Sequence, residues 1–495
     1  MIYGSPNQSY ADTVIIGSGI AGSTLAYKFS KLGIPFTLLE SGSFKKFKYS
    51  KRFNQVGQDF GLRTTTHFGV GGTSNLWHGL MAPLDEQDFT NRIINGEDFS
   101  WPISRSVLVE FYEEACKFLS DDKYSLGNND FLITKKSKIG IDQLDSICKT
   151  KQYFQPRPAI NLHKLLFKIT NNSNEYHLIT DSVALCINRL GKEKFEIEIG
   201  NNKKKYSMNC KKVIICSGAI GSPHLLLNSK IGLPAIGKYL TDHPTGPLIT
   251  LKLRKPEYKL KYTGQLNKNI FSFLGLKPRL NNSKLNMNLL VRPAFNWDDS
   301  FATERLKNSL LCIRDGRWTF KDLWQVISNL SVIRQILNYK IFFRTKLSMF
   351  DLLLVCEQTP NPNSCITLSK DKDEWGFNKI DVNWQVDKTD IYEVKQLYDY
   401  LNGLQLGYDY SPQLNKSFDW DTRFTSAAHH SGSCRMGKST KTSVVDSNCQ
   451  VHDQPNLYVC DASIIPINGC ANLGLTISAL AFRLADYLYK CDEHD

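Results

Sequence analysis

Apolar positions along this chain come in short runs, and the first of them sets the frame. Thr13-Val14-Ile15-Ile16 is β-branched and apolar throughout, as a parallel strand buried on both faces requires. From Ala21 to Leu32 the apolar residues recur at helical spacing, and Phe36 to Leu39 is a second strand-like run. Strand, helix and strand in that order predict a βαβ unit. Farther on, His177–Thr180, Val183–Ile187, Lys194–Ile199 and Lys212–Cys216 read as strands split by Gly-containing turns, which suggests an antiparallel meander. Val213 to Cys216, followed by glycines and a helix start, doubles as a return strand of the first unit. Thr250–Leu253, Met287–Val291 and Leu352–Val355 predict strands of a separate unit. Between them, Phe320 to Phe343 predicts one helix with Leu323, Ile327, Leu330, Leu337 and Ile341 on one face. That face is expected to cover its own domain's sheet, with a basic membrane-surface helix as the minor alternative. Leu457–Val459 is a last apolar strand, and Ile477 to Tyr489 a long amphipathic helix. Ser104 is placed to cap a helix over 107–119.

The first connection carries chemistry. Gly17-Ser18-Gly19-Ile20-Ala21-Gly22 fits G-x-G-x-x-G between strand and helix. Gly17 permits the tight turn, Gly19 lets a pyrophosphate approach, and Gly22 allows the helix to pack closely on the strand. Glu40 ends the second strand, where it can accept hydrogen bonds from a ribose diol. The unit predicts dinucleotide binding, and taken alone it suits NAD or FAD. Residues 43–66 read as a loop over the nucleotide. A second glycine cluster, Gly69 to Gly79, offers backbone N–H groups and hydroxyls to wrap a cofactor.

Composition changes this picture little. The 495 residues carry a formal charge of +13, with local clusters at Lys45–Lys48 and Lys203–Lys205, and read as a dispersed solvated surface. No basic stripe interleaved with aromatics points to nucleic acid. Thirteen scattered cysteines without a C-x-x-C pair argue for a reducing compartment and against a zinc or iron–sulfur site. With no signal-like pattern in residues 1–12 and no run of 18 apolar residues, the expectation is a cytoplasmic protein.

Residues 429–476 hold the second chemical signal: His429-His430-Ser431-Gly432-Ser433-Cys434-Arg435-Met436-Gly437, then Cys460-Asp461-Ala462-Ser463, then Asn472-Leu473-Gly474-Leu475-Thr476. Asp461 follows a strand, where open α/β sheets place ligand-binding acids. The final helix begins just after Asn472 and presents free N–H groups there. His67, His163, His177, His452 and His494 read as structural.

Through these motifs the chain resembles the glucose–methanol–choline (GMC) family of FAD-dependent oxidoreductases. The likeness runs nearly full length, through GSGIAG with Glu40, GVGGTSNLW, WPIS, VIICSGAIGSP, IGKYLTDHP, PNPNSCITLS, HHSGSCRMG and NLYVCDAS…NLGLT, in the family's order. The resemblance implies an α/β (α+β composite) fold: a Rossmann-like FAD-binding domain with a β-meander (1–100, 160–245 and 430–495) and a sheet-and-helix substrate domain (101–159 and 246–429). It implies FAD as cofactor, His429 rather than its rival His430 as catalytic base, and Asn472 as the second active-site residue. Gly72, Thr73 and Asn75 match the segment beside the flavin ring and Val183 the backbone contact to adenine. Asp461, with Ala462 and Thr476, matches the remaining cofactor contacts. Leu76 stands where some relatives attach FAD through a histidine, and His78 lies two residues later, so non-covalent FAD is expected. His430 replaces a proline frequent after the base. The motif variants look most like the bacterial sugar- and polyol-oxidising branch, which implies a carbohydrate hydroxyl as substrate. A lipid or sterol alcohol, a lyase on the same scaffold and a redox-silent binder are the alternatives. The electron acceptor is expected to be oxygen, a quinone or a separate redox protein.

Overall fold

The structure, a computed structural model, describes residues 12–44, 52–58, 61, 65–77, 79–126, 148–191, 194–257, 263–267, 270–278, 285–294, 305–306, 309–310, 312–313, 316, 318–340, 347–404, 410–413, 420 and 424–492. Five short strands form one parallel sheet: β1 (Thr13–Ile16), β2 (Phe36–Leu39), β3 (Tyr176–Ile179), β4 (Lys212–Ile215) and β5 (Leu457–Val459). Their order is β5-β4-β1-β2-β3. β1, β2 and β5 are buried at every position, so alternation is absent and the strands read as continuous apolar runs.

Helices cover this sheet: α1 (Ile20–Leu32), α2 (Arg105–Leu119), α3 (Gly218–Asn228) and α4 (Gly474–Asp492). α1 stops at Gly33, whose φ of 74° turns the chain left-handed while its N–H bonds the Phe29 carbonyl. α4 packs on both α1 and α2. Thr24 Oγ1 lies 3.1 Å from Ser478 Oγ, Tyr112 OH lies 3.0 Å from Thr476 Oγ1, and Phe118 meets Phe482 edge-on. A second core sits between an eight-stranded sheet and the helix Lys388–Gly403. At the centre of that sheet the strand Pro244–Glu257 pairs with Leu347–Cys356, which pairs in turn with Met287–Pro293.

Several expectations change. The strand at 177 is not part of the meander: β3 joins the parallel sheet beside β2, in register Phe36 with Tyr176. The meander is Val183–Arg189, Phe195–Asn201 and Lys204–Cys210, its third strand built from the segment read as a basic cluster. Alternation there is exposed/buried, which hides a strand behind its lysines. Within the expected loop 43–66, Phe53–Gly57 is a strand pairing in parallel with Asn378–Trp384. Ser104 precedes α2, but its hydroxyl bonds Ser106 at 2.7 Å rather than the helix backbone. The helix expected over 320–343 is two, Phe320–Ser328 and Leu330–Lys340, and Ile341 to Arg344 lie outside the described residues. Its Ile327, Leu330 and Leu337 face outward instead of covering a sheet.

No disulfide joins any of the thirteen cysteines, and only Cys365 and Cys491 are more than slightly accessible. No described helix is long and apolar enough to cross a membrane.

Candidate active site

The sheet ends, both glycine clusters and the segment 425–430 enclose one cleft of about 1670 Å³. Single small-ligand pockets run to roughly 300–1,000 Å³, so this one has room for a dinucleotide and a second molecule. Gly17 needs its positive φ of 104°, and any Cβ there would stand 2.5 Å from the carbonyl of Cys216, the residue after β4. A Cβ at Gly22 would stand 1.9 Å from the Gly17 carbonyl, so α1 rests directly on the loop. Gly19 is different. A Cβ there meets nothing within 4 Å, and the residue lines the cleft at an α1 N-terminus that has no side-chain cap.

Glu40 is buried and its four acceptor sites are taken. Ser18 N–H and Oγ–H donate to Oε2 at 3.1 and 2.6 Å, while Ser41 Oγ–H and Gly42 N–H donate to Oε1 at 3.0 and 2.8 Å. Ser41 also lines the cleft, so a ribose hydroxyl reaching Glu40 takes the place of that serine. Ser18 Oγ accepts from Gly71 N–H at 3.0 Å as well, tying the first glycine loop to the second. Asp461 closes the far end. Its Oδ2 accepts from Gly218 N–H at 2.9 Å and Ser222 Oγ–H at 2.5 Å, joining β5 to the start of α3. Burial raises its carboxyl above the usual range, against the pull of those donors.

The chemistry-bearing groups form a chain. His243 Nε2 lies 3.2 Å from the Asn468 carbonyl, which can only accept, so that nitrogen carries the proton. Burial lowers the His243 pKa and keeps the ring neutral, which leaves Nδ1 bare. His429 Nδ1 sits 2.9 Å from that bare nitrogen and therefore donates to it. Enclosure by protein, then the neighbouring His243, push His429 down to about 3, so it is neutral too. Its Nε2 is then a free lone pair facing the Asn472 amide at 2.9 Å. The proton assignment follows from this network, link by link.

Asp242 holds the segment that carries the base. Its Oδ1 accepts from the backbone N–H of His243 (2.6 Å), Ala427 (3.2 Å) and His429 (3.2 Å), and its Oδ2 from Ser426 Oγ–H at 2.8 Å. His430 Nδ1 meets Oδ2 at 2.5 Å. Burial alone would raise this carboxyl, but His430 and the other rings outweigh it and hold it at about 2. Ala428, a non-glycine at φ 64°, makes the kink that turns the two histidines apart. His430 is engaged at both ring nitrogens, the second 3.1 Å from Thr65 Oγ1, whereas His429 keeps Nε2 toward Asn472.

Of the residues singled out from sequence, Gly17, Gly19, Glu40, Gly72, Thr73, Val183, Asp461, Ala462, His429 and Asn472 line the cleft together. Gly22, Asn75 and Thr476 do not. Asn75 braces its own loop through the Val70 and Gly72 carbonyls, and Thr476 bonds Tyr112 inside the core. His67, expected to be structural, lines the cleft; His78 and His494 lie outside the described residues. Ser18, Asp242 and His243 were missed. The last two lie in the IGKYLTDHP motif, where an adjacent Asp-His pair was the available signal.

The chain is similar to proteins of known family and fold. Family models described as GMC oxidoreductase match residues 189–245 and 360–481. A 2-methyl-1,2-propanediol dehydrogenase of Mycolicibacterium austroafricanum is 33% identical over 140 residues, 27% of this chain and 24% of that one. Paromamine 6'-oxidase of Streptomyces fradiae is 31% identical over 128 residues, 26% and 23% of the two chains. The matches thus span about a quarter of those relatives' length. The fold is that of the crystal structure of pyridoxine 4-oxidase from Mesorbium loti, with TM-score 0.64 at 15% identity, covering 97% of this chain and 99% of that one.

Proposed function

Since the chain belongs to the GMC oxidoreductases, a family whose cofactor is FAD, we propose that it oxidises a CH–OH group with His429 as base. The cleft fits that cofactor in its donor set and its shape: Gly19 leaves open space at an uncapped helix N-terminus, where a pyrophosphate sits well. Gly17 and Gly19 would hold the phosphates, Glu40 a ribose, Val183 the adenine, and Gly72, Thr73, Asp461 and Ala462 the remainder. With Leu76 at the attachment position, FAD is held without a covalent bond. Bound FAD supplies the hydride acceptor.

The observation that carries this reading is the 2.9 Å meeting of His429 Nε2 and Asn472 Nδ2 on the cleft wall. An alcohol inserted between them donates its O–H to Nε2 and accepts from the amide. A ring with so low a proton affinity takes the hydroxyl proton only as the carbon loses hydride, when the oxygen becomes a carbonyl and its proton strongly acidic. Asn472 stabilises the oxygen without competing for the proton. Asp242, on the far side, offsets the positive charge that His429 then carries.

The substrate we propose is a sugar or polyol. The wall beyond the base mixes Leu290, Leu353 and Val355 with Gln155, Thr245 and Arg292, which suits a compact molecule with several hydroxyls. The names of the two bacterial relatives, a diol dehydrogenase and paromamine 6'-oxidase, point the same way. Anaerobic addition of sugars, polyols and lipid alcohols to the FAD-loaded protein tests the reading. A substrate bleaches the flavin band at about 450 nm, and His429→Ala abolishes bleaching while FAD stays bound. A band that stays oxidised with every alcohol points to a lyase or a binder, and full activity in the variant removes His429 from its role.

A further inference from the structure

The two helices Phe320–Ser328 and Leu330–Lys340 are apolar on both sides. Leu323, Val326, Val332, Ile333 and Ile336 turn inward and are at least half-buried. Outward stand Phe320 (86% exposed), Trp324 (68%) and Ile327 (59%) at i, i+4, i+7, then Leu330 (59%) and Leu337 beside Arg334 in the same spacing. Trp318 adds a second indole at the start. Singly exposed apolar residues are ordinary, but a contiguous set of this size and this aromatic content marks a contact surface. Neither helix contributes a residue to the cleft, so catalysis does not account for the patch.

Charge identifies what covers it. Between Arg305 and Lys346 the sequence has nine Lys and Arg against two Asp, a net +7 in a chain whose total is +13. Asp322 is drawn into the helix cap, where its carboxylate accepts from Thr319 N–H at 2.7 Å and from Ser309 Oγ–H at 3.0 Å. Lys321 and Arg334 stand exposed among the apolar side chains. Indole and phenyl rings, aliphatic residues and interspersed cations on helices too short and polar to span are the chemistry of a helix lying in a lipid headgroup layer. We propose that this face docks on an anionic phospholipid surface: the rings enter the acyl boundary, and Lys321 and Arg334 meet the headgroups.

Co-sedimentation of the full-length, FAD-loaded protein with vesicles tests this. Vesicles of phosphatidylcholine with about 30 mol % phosphatidylserine carry the protein down, and pure phosphatidylcholine vesicles do so far less. Raising salt weakens the binding. F320S/W324S lowers vesicle affinity about tenfold or more while FAD content stays unchanged. L330S/L337S, on the other helix, and K321E/R334E weaken it independently. Equal binding by all variants, or no binding to either vesicle, overturns the proposal. A concentration-dependent dimer that F320S/W324S breaks up, without vesicle binding, assigns the face to a second copy of the chain and overturns it as well.

Discussion

His243 and His429 meet Nδ1 to Nδ1 at 2.9 Å, and only one of the two nitrogens can carry the proton between them. The Asn468 carbonyl decides which, by taking the His243 Nε2 proton. A backbone oxygen thereby fixes the tautomer of the base two rings away. His243 is a positioning residue, and His243→Phe is expected to lower kcat about a hundredfold while FAD binding and KM hold. Because a freed His429 is also easier to protonate, an acid limb should appear in the pH profile of the variant. A variant with full kcat and an unchanged profile places tautomer control elsewhere.

The ordinary imidazole pKa is about 6.5, and that of His429 is pushed down to about 3 by enclosure and by His243. The neutral ring is the competent one, so a lowered pKa extends activity toward acid. From pH 8 down to pH 5, kcat/KM for the reductive half-reaction should stay flat, measured by rapid-mixing bleaching of the flavin. The same shift costs stability in acid. Below about pH 6.5 the unfolded chain takes up a proton that the folded ring refuses, so urea stability should fall as pH drops.

Asp242 gathers three backbone N–H groups, a serine and His430 around one buried carboxylate. Asp242→Asn keeps the shape and removes the charge. We expect it to destabilise the fold by about 3 kcal/mol, since it leaves the partners of a buried ion without their counter-charge. Activity should fall further than stability, because the Ala428 kink and the aim of His429 depend on those bonds. Urea denaturation and anaerobic bleaching, run side by side, separate the two effects.

Gly19 and Gly22 lie three residues apart and should fail differently. Gly19→Ala has open space for its methyl and a φ of −63° that alanine adopts, so the fold should hold while FAD binds more weakly. Gly22→Ala drives a methyl into the Gly17 carbonyl, and about 1–3 kcal/mol of fold stability should go with it. Titrating FAD into each apoprotein, with thermal melts alongside, distinguishes them.

What could be read from sequence was local. β1, α1 and β2 declare themselves because burial on both faces and a 3.6-residue period leave direct marks on consecutive residues. Glu40 and Gly19 follow from the same stretch. The relation of Asp242 to residues 426–430 spans more than 180 positions, and no periodicity records such a distance. Asn75 and Thr476, polar residues in cofactor-type motifs, are engaged by the loop and the core: Asn75 bonds the Val70 carbonyl and Thr476 meets Tyr112. The helices after Thr319 were recognised as amphipathic, but which side faces the protein is decided by packing partners that lie elsewhere in the chain.

The hydroxyl contact between Thr24 on α1 and Ser478 on α4 joins residues 454 positions apart. β5 and α4 close a sheet whose strand β1 is made more than 400 residues earlier. During synthesis, β1 and β2 must wait with an unpartnered sheet edge and an uncovered helix face, a long-range closure that slows folding and invites aggregation. Chaperone dependence during biosynthesis, and poor recovery on refolding from urea without FAD, are the expected cost of separating the nucleotide grip from its clasp by more than 400 residues.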